Sequence, residues 1–183
     1  LFKEYSNRQN SLFGTYNVRS RFPEIFLVII LVLFIGFRPA DKAFYDTMFY
    51  YDVIANRSLQ FYGIDYEVEN LIFDNVLFYF SYKHWSYTVF FLLIASIYFV
   101  CSYIATRKLF PKDTLFAYLV FLAAFSTFSY SVNGIKAGAA SSIFLLGLAY
   151  REKLLISIPL VLLSWGIHHS MSFPIAVYVV VLL

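Results

Sequence analysis

Charge is what this chain has least of. Charged residues fill 14% of its 183 positions, hydrophobic residues fill 61%, and mean hydropathy is +0.70. Soluble domains carry roughly 25% charged residues, so this chain cannot clothe itself against water and needs lipid as solvent. That excludes an ordinary soluble domain. Cysteine is nearly missing too: Cys101 stands alone inside an apolar run, so no intrachain disulfide can form and nothing follows about redox compartment. No C-x-x-C, H-E-x-x-H or clustered ligand spacing marks a metal site, and no cofactor is expected. Internal repeats and low-complexity tracts are absent. A net charge of +3 makes no case for nucleic acid, because cytoplasmic loops of membrane proteins are basic anyway. The chain also lacks an initiator methionine and stops within an apolar run, which predicts a fragment with more protein beyond Leu183.

What the chain has is long apolar runs. They cover residues 22–37, 85–106, 114–132, 135–150 and 154–167, with another beginning at 171–183. A membrane-spanning helix needs ~20 apolar residues. The runs predict an all-α polytopic transmembrane bundle of about six spans, forming one transmembrane domain across residues 1–183. The first run follows arginines and competes with a signal peptide, but the later runs favour a retained anchor. Pro159 and Pro174 lie inside two runs and predict kinks. Residues 38–84 form a long, aromatic, acidic loop. Within it, 43–54 and 70–82 are expected as short helices along the membrane surface, or the second as a lead into the next span.

Lys and Arg alternate between the connecting segments. Segments 1–24, 107–113 and 151–153 carry nine of the 14, and segments 38–84, 133–136 and 168–170 carry five. The positive-inside rule places the first set, with the N-terminus, in the cytoplasm. The acidic loop and the residues around Lys136 and His168 then face outward.

Residues 133–172 contain two apolar runs folded on a basic turn. With the turn at Glu152, Lys136 and His168 each lie 16 residues away, so both sit ~24 Å from it in a helical hairpin. A basic group and an imidazole are thereby predicted at one depth. Lys136 is either a lysine snorkelling to headgroups or a cation facing a packed interior. Gly134, Gly138 and the small residues after them favour close helix approach there. His168 and His169 are dipole partners at a helix end, or one of them serves as a phosphate donor or proton shuttle. Asp41, Glu69 and Asp74 are the acidic candidates. Each is either a solvated loop carboxylate or, drawn against the membrane face, a general base with a raised pKa.

These residues resemble a known family. Asn133, Gly134, Ile135 and Lys136 are similar to the N-G-I-R of the EpsG family, and His168, His169 and Ser170 are similar to its H-x-S. Residues 41–45, from Asp41 to Tyr45, resemble its D-x-x-x-Y, and residues 69–73, from Glu69, its E-P-x-x-F. Lys136 stands where the family has Arg, and Asn70 where it has Pro; lysine is a point charge where arginine makes a fork. The resemblance implies a Wzy-like polymerase of exopolysaccharide, capsule or O-antigen synthesis in the bacterial plasma (inner) membrane. Its substrate would be a polyprenyl-diphosphate-linked glycan, its surroundings membrane lipid, and its neighbours other polysaccharide-assembly membrane proteins. Carried onto this chain, the catalytic residues would be Lys136, His168, Glu69 and Asp41. Substrate binding would fall to Asn133, Ser170, His169 and Tyr45. The rivals are a transporter or flippase of the same lipid-linked sugar, a membrane acyltransferase, and an assembly protein without chemistry. A transporter would carry polar residues at mid-membrane and inverted repeats, and an acyltransferase would pair its histidine with Asp or Arg near the first span.

Overall fold

A computed structural model describes residues 21–56 and 70–182, and every described element is helical. α1 (Phe22–Gly36) opens with Pro23 and Glu24 in its first turn, where a missing N–H costs nothing and a carboxylate meets the positive helix end. α2 (Tyr45–Tyr51) widens into a π-turn over Asp52–Asn56. α3 is Leu71–Tyr82. α4 (Tyr87–Leu109) is capped by Ser86, whose hydroxyl accepts from the Thr88 N–H, and ends with Arg107 and Lys108 at its negative pole. α5 (Thr114–Ala123), α6 (Phe125–Val132), α7 (Ile135–Ala149) and α8 (Leu154–Ile167) follow. A short 3-10 turn (His169–Met171) then leads into α9 (Ser172–Leu182).

α4 is the central post. α1 runs antiparallel to it: the Tyr103 hydroxyl donates to Glu24 at 2.7 Å near one end, and Gly36 lies against Leu92 near the other. Val28, Ile35, Tyr98, Phe99, Tyr103 and Tyr118 bury one cluster between α1, α4 and α5. α7 packs against α4 and runs parallel to it, with Ser142 near Ile97 and Tyr150 under Lys108, and α8 returns antiparallel to α7. The second cluster joins these helices to α2 and α3 through Tyr50, Phe73, Phe80, Phe90 and Phe91, most of them edge-to-face. The two loop helices therefore do more than lie along a surface. Their aromatic faces close one end of the bundle.

Residues 114–132, expected as one span, form two helices bent by 72° at Ala124. No proline or glycine is there. The Thr127 hydroxyl donates to the Phe121 carbonyl at 2.5 Å, and the Tyr98 hydroxyl reaches the Thr127 carbonyl at 3.5 Å, so side chains satisfy backbone groups around the break. Among the described residues only α4 is long and apolar enough to cross a membrane alone, with the bent pair as a second span if taken together. α1, α7 and α8 have 15, 15 and 14 residues, or about 22 Å of helix against the ~30 Å of a hydrocarbon core. The described residues are thus all-helical, with one or two helices of spanning length where the apolar runs predict about six spans. Pro159 sits within α8, which stays one helix. Pro174 falls in the first turn of α9, where its missing N–H has no partner to lose.

Candidate functional site

The hairpin register is set by one contact. The Ser157 hydroxyl donates to the Gly147 carbonyl at 2.9 Å, and these residues stand five positions either side of Glu152. α7 thus begins, and α8 ends, at the same end of the bundle. Gly134 and Gly138 let α7 close on α6: a Cβ at Gly138 would lie 2.7 Å from the Tyr130 carbonyl oxygen, a clash with backbone that nothing flexible can relieve.

At that end, Lys136 Nζ lies 3.5 Å from Asp74 Oδ1 on α3 and 5.5 Å from the centre of the Phe73 ring. Both members of the ion pair are largely covered, with side chains 21% and 16% exposed. Asp74 also accepts from the Asn70 N–H at 3.1 Å, bracing the start of α3. Asn70 is itself buried. Its Oδ1 accepts the His169 N–H at 3.1 Å and lies 3.1 Å from His169 Nδ1, tying the loop before α3 to the turn after α8. His168 is half-buried, its Nδ1 accepting the Ser170 N–H at 3.4 Å, with its ring edge-on to that of His169.

Burial pulls the His168 pKa below its ordinary value. The positive charge of Lys136 and the neighbouring His169 push the same way, while Asp74 and Asp46 oppose. His168 is therefore a neutral imidazole near pH 7. With Nδ1 accepting, its proton sits on Nε2, so it can donate a hydrogen bond to an anion without carrying charge itself.

Asn133 is the next residue along. Its Oδ1 accepts the Asp46 N–H at 3.1 Å, capping α2 from another part of the chain. Its carbonyl oxygen is thus committed to the fold. Asp41 is exposed and turns its Oδ1 onto the Ala43 N–H, 2.8 Å away. Tyr45 is 79% exposed and Ser170 is exposed. Glu69 lies outside the described residues. The structure thus brings Lys136, His168, His169 and Asn133 to one end, with Asp74 as the carboxylate held at Lys136, and leaves Asp41 on an open turn.

Asn70 and Arg38 were not singled out from the sequence. Arg38 counted only as a loop charge, yet its guanidinium is drawn inward. Asn70 carried one signal, that it replaces the proline of the resembled motif. A proline there could not offer a side-chain acceptor to His169. Among the described residues no group of three or more His, Cys, Asp or Glu is arranged to hold a metal ion.

The model of one family, the EpsG family, matches residues 23–183. No curated protein and no solved structure matches the chain.

Proposed function

The chain belongs to the EpsG family, and from that membership we propose that it is a membrane polysaccharide polymerase joining polyprenyl-diphosphate-linked oligosaccharide repeats. The observation that carries this is the covered cation Lys136, held beside Asp74 and within electrostatic reach of the neutral His168. In the transfer, an acceptor sugar hydroxyl attacks the anomeric carbon of the donor chain. The bond from that carbon to the diphosphate oxygen breaks, its electron pair leaves with the lipid diphosphate, and the hydroxyl proton passes to a base. Lys136 supplies charge, and His168 a neutral N–H, where negative charge develops on the diphosphate. Asp74 takes the base role in preference to Asp41, because the fold holds it beside Lys136. Glu69, one residue before the buried Asn70, is the alternative base. Ser170 and His169 border the sugar, and Tyr45 offers an exposed ring to it.

The described parts of the segments rich in Lys and Arg lie at one end. Glu24 meets Tyr103 near Arg21 and Arg107, and Lys108 lies over the Tyr150 ring at 4.6 Å. We place that end in the cytoplasm and the Lys136 end at the outer face of the bacterial plasma membrane.

Purified full-length protein supplied with lipid-linked repeats should build a ladder of lengthening glycans. Lys136→Ala should abolish the ladder, and Lys136→Arg should retain it; full activity in Lys136→Ala would remove Lys136 from the mechanism. For topology, a cysteine introduced beside Ser170 should react with an impermeant maleimide in intact cells, and one beside Lys153 should not. The reverse pattern would turn the protein over in the membrane.

A further inference from the structure

Arg38, just past the end of α1, is a charge that the proposed chemistry does not use. Its Nη1 donates to the Ile35 carbonyl at 2.8 Å. Its Nη2 donates to the Thr47 hydroxyl at 3.1 Å and to the Val132 carbonyl at 3.2 Å. The guanidinium carbon lies over the Phe91 ring, 4.9 Å from its centre. No carboxylate of the described residues pairs with it, and its Nε is buried without a partner among them. Burial alone pulls its pKa down to about 10, so it stays charged at neutral pH. Desolvating a guanidinium without a counter-charge is costly, and apolar side chains generally pack such a place as well or better. What an arginine adds is a rigid fork that reaches several acceptors at once.

Those acceptors share a location. Val132 is the last residue of α6, and its carbonyl has no partner within the helix. Arg38 and the buried Thr47 hydroxyl both donate to it. Asn133 and Gly134 follow at once, and Lys136 stands in the first turn of α7. The cavity bordering Arg38, Tyr98, Tyr130 and Ser131 measures about 10 Å³. That is room for one water and not for a phosphate, so Arg38 does not meet the substrate there.

We propose that Arg38 is a positioning residue: by clasping the end of α6 to α1 and α2, it fixes the turn from which Lys136 is presented. The clasp is read from geometry, whereas its consequence for catalysis rests on the polymerase assignment. Two readouts keep these apart in the full-length protein. In the first, Arg38→Met and Arg38→Lys are assayed for glycan extension, normalised to folded protein. Both should lose about ten- to a hundredfold in kcat with KM for the lipid-linked repeat nearly unchanged, and the retained charge in Arg38→Lys should not restore it. In the second, D74C and K136C are introduced together and joined by a short bis-maleimide. Cross-linking should be fast with Arg38 present and slowed about tenfold in the Arg38→Lys background, a ratio of the kind a small displacement of the turn produces. If the unaltered protein makes no ladder but the cross-link depends on Arg38, the polymerase assignment fails and the clasp stands. If ladder and cross-link are both indifferent to Arg38→Lys, the positioning role is overturned. Should Arg38→Met fail to fold, Arg38→Lys alone decides.

Discussion

At the end where α1 begins and α4 and α7 finish, charged side chains have few partners among the described residues. Arg21, Arg107, Lys112, Arg151 and Lys153 are exposed, and the closest contacts there are the Tyr103 hydroxyl on Glu24 and Lys108 over the Tyr150 ring. At the opposite end, polar side chains reach across the sequence: Arg38 to Val132, Asn133 to the Asp46 N–H, Asp74 to Lys136 and Asn70 to His169. Several of these partners are buried or half-buried. Basic side chains free in water suit headgroup anchoring, and each contributes little. Polar groups taken out of water must be paired, and losing one partner strands the other. The difference shows where the molecule tolerates desolvation, and that is where a chemical site belongs.

The largest effect that would break this comparison is expected at Asn70. Asn70→Leu keeps the bulk but takes the buried acceptor away from the part-buried His169 N–H, at about 1 kcal/mol or more. The thermal unfolding midpoint in detergent, followed by Trp85 and Trp165 fluorescence, should fall by several degrees. A midpoint within a degree of the unaltered protein would mean that the tie between α3 and the end of α8 bears no load.

Asn70 also shows what the sequence makes legible and what it hides. The α7 and α8 hairpin follows from two apolar runs of similar length around Glu152, because helical rise is fixed and counting residues gives depth. Ser157 on the Gly147 carbonyl sets that register. The close approach at Gly138 is legible for a like reason, since only small residues permit it. The bend at Ala124 is not, because its satisfying groups are Thr127 and Tyr98, one of them on another helix, and no breaker residue marks it. Arg38 reads as an ordinary loop charge, and Asp74 as one of three candidate carboxylates with nothing in the sequence to choose it over Asp41. Only the docking of α2 and α3 onto the bundle reveals that Arg38 is half-buried at the end of α6 and that Asp74 meets Lys136. Of the loop's aromatic residues, Tyr50, Phe73 and Phe80 go into the core, while Tyr45, Tyr79 and Tyr82 stay exposed, and composition alone does not sort the two groups.

The next effect concerns His168, which faces Lys136 from α7, Asp74 from α3, Asp46 from α2 and its neighbour His169. Its folded pKa lies below the unfolded one, so the unfolded chain binds the extra proton more readily. The resulting stability is present above the ordinary histidine range near 6.5. It is lost as pH falls through that range towards the lowered folded value. If neutral His168 donates to the diphosphate, activity persists below pH 6.5 and falls only on further acidification. Lys136→Arg should preserve this profile. Lys136→Met, followed by nitrogen-15 histidine NMR and needing no activity, should raise the titration midpoint of His168. An unmoved midpoint would separate the two residues and dissolve the pairing on which the site depends.

The smallest effect is expected at the basic end, and it is the control that gives the others meaning. Lys108 is exposed, and its ammonium lies 4.6 Å from the centre of the Tyr150 ring. An exposed contact of this kind contributes about 0.5–1 kcal/mol, and water replaces it when it is removed. Its favourable position in the last turn of α4 adds a few tenths, screened by salt. Lys108→Ala should therefore lower the unfolding midpoint only slightly, with the loss shrinking further in high salt. The loss in Asn70→Leu should be nearly indifferent to salt, because a hydrogen bond between an amide oxygen and a backbone N–H carries no net charge for mobile ions to screen. Measuring both variants at low and high salt turns the comparison of the two ends into a sign test. If Lys108→Ala is the more damaging and the less salt-sensitive, the basic end is the desolvated one, and the site has been placed at the wrong end of the bundle.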